Sequence, residues 1–143
     1  MKALQIISIL LALHFTSLCQ EYIKLDYVGP VKKPFQTLIV STKEISDTQR
    51  FTFVTGVLLD SDSYSEFKKI IVENLPSETQ RAVADFGCFC IFIKKNKDDK
   101  VYYLNSKEKS IKYFKKILAA MKKDSVDTKI NESVETYLKR IGG

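Results

Sequence analysis

Few side chains in this 143-residue sequence could do covalent or acid–base chemistry. There is one histidine, His14, and there are three cysteines, Cys19, Cys88 and Cys90. His14 sits in an N-terminal segment with the make-up of an export signal: Lys2 as the positive start, an apolar stretch over 3–15, then Thr16-Ser17-Leu18-Cys19 as the exit. The stretch is short of the roughly 20 apolar residues that cross a bilayer, and Gln5, Ser8 and His14 interrupt it. Leu18 stands where lipoprotein processing at Cys19 would need a small side chain. The expected organisation is a cleaved signal, 1–19, and one domain, 20–143, in the periplasm or outside the cell. Losing His14 with the signal leaves no imidazole. That excludes Ser-His and Cys-His nucleophile pairs and histidine-ligated zinc from the mature domain.

Cys88 and Cys90 lie in an apolar run, 86–94, that reads as a strand. Residues two apart on a strand share a face, but their Cα atoms lie near the upper limit for a disulfide. Two buried free thiols are the expectation, and two thiols cannot fill a closed zinc site. So few cysteines in an exported chain favour a bacterial envelope protein over a disulfide-stapled secreted one. Asp60, Asp62 and Glu66 imitate the start of a calcium loop, yet Tyr64 takes the fifth position, Ser65 the glycine position and Ile71 that of the bidentate glutamate. They read instead as helix-capping residues. Asp98 and Asp99 are adjacent turn residues, unlike the separated acid and base of a glycosidase. No metal site and no cofactor is expected.

The charge is more telling. The net charge is +6, but 94–123 holds eleven lysines against Asp98, Asp99 and Glu108. The candidate partner-binding residues are Lys94, Lys95, Lys97, Lys100, Tyr102, Lys112, Lys115 and Lys116, with Tyr103 beside them. Such a segment attracts an acidic protein or an anionic envelope surface. Export and the use of Lys without Arg argue against nucleic acid. The competing reading is a solvated helix face, because Lys112, Lys115, Lys116 and Lys123 fall opposite the apolar stripe of their helix.

The positioning elements follow from periodicity. Residues 22–28 alternate as a half-buried strand, 35–41 follow Pro34 as a second, and 51–59 form a third whose apolar residues on both faces predict a central place. Ser63 with Glu66 reads as a capping box for a helix over 64–74, and Ser77 with Gln80 as a weaker cap for turns over 78–84. The run 86–94 is expected to be the innermost strand, joined through a turn over 95–99 to a short strand over 101–104. Asn105 or Ser106, with Glu108, caps the next helix. Its stripe, Ile111, Phe114, Ile117, Leu118 and Met121, lies about 180° from that of Val126, Ile130, Val134, Tyr137 and Ile141 on one rod. A break near Asp124-Ser125 resolves the conflict and predicts a helical hairpin, stopped by Gly142-Gly143.

The expected fold is α+β: one mainly antiparallel sheet of about five strands, ordered β-β-β-α-β-β-α-α along the chain, with helices on one face. The expected function is that of a small exported, non-catalytic binding protein, an envelope accessory or an inhibitor- or immunity-like partner. Two alternatives stand beside it. The many Phe and Tyr residues fit a carrier or sensor of a small apolar ligand, and Asp60, Asp62, Glu66 or a thiol would serve a histidine-free enzyme. Asn131-Glu132-Ser133 matches a glycosylation acceptor in a eukaryotic setting.

Overall fold

The computed structural model describes residues 21–29, 34–45, 54–77, 87–95 and 98–142. The segment expected to be an export signal, the turns expected over 78–84, and Phe51, Phe53, Phe86, Lys97 and Gly143 lie outside them. The described residues form β1 (Tyr22–Val28), β2 (Thr37–Ser41), β3 (Val54–Leu58), α1 (Ser61–Glu73), β4 (Cys88–Lys95), β5 (Asp98–Leu104), α2 (Lys107–Asp124) and α3 (Thr128–Ile141). This is the α+β order read from the sequence. None of the described helices is long and apolar enough to cross a membrane.

The strands make one sheet in the order β3-β2-β1-β4-β5. β1 pairs antiparallel with β2 and β4, and β4 antiparallel with β5, while β3 runs parallel to β2. Twelve residues separate Ser41 from Val54, the length a parallel crossover requires. Alternation then sorts side chains between faces. Val57, Val40, Ile23 and Ile93 form one row toward the helices, and Leu38, Leu25 and Ile91 the next. Tyr64, Phe67, Ile70 and Ile71 of α1, Phe114, Ile117 and Met121 of α2, and Ile130, Val134 and Tyr137 of α3 share one core with them.

Two placements differ from the sequence reading. β3 is an edge strand, not a central one: Val57 and Leu59 are buried toward the helices, but Leu58 on the opposite face is 60% exposed. β4 is flanked on both sides, but the middle strand is β1. Apolar residues on both faces of a strand report what lies above and below it, not its rank across the sheet.

The helix ends follow local chemistry, with small shifts. Asp60, not Ser63, caps α1, its carboxylate accepting the Ser63 N–H at 2.8 Å and the Ser63 hydroxyl at 3.0 Å, so the helix starts at Ser61. Ser106 caps α2 through the Lys109 N–H at 3.1 Å, which puts Lys109 where a capping box would need Glu108. α2 stops at the expected break, where Ser125 adopts φ 51°, but the next cap is Asp127 rather than Asp124. Gly142, at φ 84°, closes α3 in the left-handed conformation that suits glycine.

Aromatic packing and three hydrogen bonds lock the helices in place. Phe89 is 1% exposed and lies 4.8–5.4 Å, between ring centroids, from Tyr27, Phe35, Phe114 and Tyr137. The Tyr113 hydroxyl of α2 donates to the Ile71 carbonyl of α1 at 2.8 Å. On α3, the Tyr137 hydroxyl donates to Gln36 O at 2.5 Å and Arg140 Nη1 to Pro34 O at 2.8 Å, tying that helix to the chain entering β2.

Candidate interaction surface

The lysines divide between surfaces. Lys94 lies on the face of β4 turned away from the helices, with its ammonium 5.6 Å from the centre of the Tyr22 ring. Lys95 and Lys100 share the helix-side phase of the sheet, opposite Asp98 and Ile93, and both are exposed. Tyr102, half-buried in the next row, packs against the core. Lys112, Lys115 and Lys116 stand exposed on α2, away from its buried residues. The sheet therefore separates Lys94 from the helix lysines, while α2 keeps three of the candidates on one face.

That face includes an open groove of about 570 Å³ lined by Lys107, Glu108, Ile111, Lys112 and Lys115. Ile111 is half-buried, so an apolar side chain is bordered by three ammonium groups and one carboxylate. Among the described residues no carboxylate comes within ion-pair distance of Lys112, Lys115 or Lys116. Farther along α2, Lys122 pairs with Glu135 of α3 at 2.7 Å. The hydrogen bond and charge of Lys122, with the charge of Lys139, hold the Glu135 carboxyl below the usual carboxylate range.

The other candidate chemistries are engaged in structure. Cys88 and Cys90 are unbridged, share the face away from the helices and are each 4% exposed, with Cys88 Sγ donating to Phe89 O at 3.3 Å. Asp60 spends its carboxylate on the α1 cap, where the Ser63 N–H and then the Ser63 hydroxyl lower its pKa. Asp98 and Asp99 belong to β5 rather than to a turn, paired in register with Lys95 and Lys94. Asn131 lies within α3, and its Oδ1 is buried with no hydrogen-bond partner among the described residues. No cluster of three His, Cys, Asp or Glu able to hold a metal occurs among the described residues.

A second concavity, which sequence reasoning missed, lies between β3 and α3. Its volume is about 450 Å³, and its lining includes Gln36, Thr55, Gly56, Lys129, Glu132, Ser133 and Thr136. Positions 129, 132, 133 and 136 form one helical stripe. The polar stripe of α3 and a glycine within an apolar strand were the available signals.

Comparison with protein-family models, with curated proteins and with solved structures found no match.

Proposed function

We propose that this is a small exported, non-catalytic binding protein that docks the outer face of α2 on an acidic partner protein. The observation that carries the reading is the groove at Ile111, where Lys107, Lys112 and Lys115 border an apolar floor. Ile111, at the margin of the α2 stripe that packs on the core, gives this charged face an apolar recess as well. A partner segment with carboxylates around one aliphatic side chain is complementary to the groove in charge and polarity. Steering by exposed lysines makes association depend on salt, and seating an aliphatic group on Ile111 adds a contribution that does not.

The test uses the full chain and a labelled peptide of glutamates flanking a leucine. Binding is expected to weaken between about 0.01 M and about 1 M salt, where the screening length falls from about 30 Å to about 3 Å. Reversing Lys112→Glu, Lys115→Glu and Lys116→Glu together should weaken it about tenfold or more without moving the melting temperature, because exposed ion pairs add little to stability. Ile111→Ser should weaken binding at both salt concentrations. Unchanged binding by the triple variant would refute the proposal.

A further inference from the structure

We propose a second site, independent of the lysine face: the outer edge of β3, which no other described strand pairs, takes an extended segment of a partner polypeptide as an added strand, with the flank of α3 beside it. The two edges of the sheet are built differently. β5 carries Asp98, Asp99 and Lys100, charges of the kind that keep an edge from pairing, whereas β3 reads Val54-Thr55-Gly56-Val57-Leu58 with no charge.

The phase of β3 follows from one hydrogen bond. The Leu59 N–H donates to Ser41 O at 2.9 Å. Backbone groups alternate between the two sides of a strand. Val57 and Thr55 therefore turn their N–H and C=O groups toward β2, and Val54, Gly56 and Leu58 turn theirs outward. Gly56 is exposed, its backbone is not in the positive-φ region, and a Cβ there would meet nothing within 4 Å. Neither conformation nor internal packing calls for glycine at this position. Glycine inside a strand weakens it and often marks a bulge, a bend, or close approach by a ligand or another backbone.

The surroundings define the occupant. An added strand would turn alternate side chains toward Thr55, Lys129, Glu132, Ser133 and Thr136 in the groove, which suits polar groups. The intervening side chains would lie beside Val54 and the exposed Leu58, with a gap over Gly56 between them. Apolar residues suit that face, and a ring opposite the bare glycine suits it best. The partner segment therefore alternates polar and apolar residues, and its backbone supplies the hydrogen bonds.

The test uses the full chain and a capped peptide alternating threonine with valine, with phenylalanine at its centre and N-methyl groups on its outward edge to prevent self-stacking. Fluorescence anisotropy should show saturable binding, and saturating peptide should slow exchange of the Gly56 amide while the Val57 amide, already bonded to β2, changes little. Gly56→Lys has room for its side chain. It should keep the melting temperature and lose affinity about tenfold or more, roughly the 1.4 kcal/mol that a tenfold change represents. The Lys112→Glu, Lys115→Glu, Lys116→Glu variant should bind this peptide like the parent, which separates failure of this site from failure of the lysine face. Equal binding by Gly56→Lys, equal binding of a peptide with its polar and apolar residues in blocks, or a self-paired dimer that Gly56→Lys dissociates would each overturn the proposal.

Discussion

Two buried tyrosines on different helices should respond oppositely to loss of one oxygen. Tyr113 of α2 is 2% exposed, and its hydroxyl donates to the Ile71 carbonyl at 2.8 Å. That carbonyl lies in the last turn of α1, where the Leu75 N–H that would have served it bonds Val72 O at 3.3 Å instead. Tyr113→Phe leaves a buried acceptor without its donor, at a cost of about 1–3 kcal/mol. Tyr64 of α1 is 5% exposed, and its hydroxyl is buried with no hydrogen-bond partner among the described residues. Tyr64→Phe removes a buried polar group that gains no hydrogen bond among the described residues, for a gain of about 1 kcal/mol. Both substitutions keep the ring, so no large cavity enters either value. The variants should therefore differ by about 2–4 kcal/mol, a large share of the 5–15 kcal/mol typical of a domain. Urea melts at neutral pH measure this as displaced midpoints at constant slope. If Tyr64→Phe proves the more destabilising variant, the assignment of donors between α1 and α2 is wrong, and with it the anchor that orients the lysine face.

Two further predictions concern the helix cap and alkaline pH. Asp127 accepts the N–H groups of Lys129 at 2.8 Å and Ile130 at 3.2 Å, so Asp127→Ala should cost about 1 kcal/mol by losing the α3 cap, read from urea midpoints; no change would mean that the cap is dispensable. Burial raises the pKa of Tyr64, Tyr113 and Tyr137 above the ordinary phenol value, with added negative charge from Glu21 on Tyr64 and from Asp26 on Tyr137. The unfolded chain then releases these protons first as pH passes about 10, so their contribution is complete below that pH and falls above it by about 1.4 kcal/mol per unit for each tyrosine. Urea midpoints should drop steeply between about pH 10 and about pH 12, less so in Tyr64→Phe, and a flat profile there would contradict the burial of these hydroxyls.

Element type was legible where one residue pattern forced one answer. The alternation of Tyr22–Val28 matches β1 residue for residue, and the opposed stripes on either side of Ser125 required the break between α2 and α3. Caps were harder to place, because Asp60 competes with Ser63 and Asp127 with Asp124, each within one turn of a plausible start. Lateral order was not legible in β3 and β4. It depends on which strands share hydrogen bonds, and the residues of a single strand record only the cover on its faces.

The candidate sites divide for the same reason. Counting lysines along the chain groups Lys94 with Lys112, but strand alternation sends Lys94 to the far side of the sheet while helical periodicity keeps Lys112, Lys115 and Lys116 together. A solvated helix face and a docking face use the same residue types, so composition cannot separate them. Position adds what composition lacks: Ile111, at the margin of the stripe packed on the core, sets an apolar surface beside three ammonium groups, and Gly56 lies on an uncharged strand. On the two proposals, contact with a second molecule would cover both residues. The two sites lie on different elements, so a partner engaging both would reach from the β3 edge across α3 to α2. Its two contacts would then be coupled through effective concentration, and removing either should weaken the whole by more than that contact contributes alone.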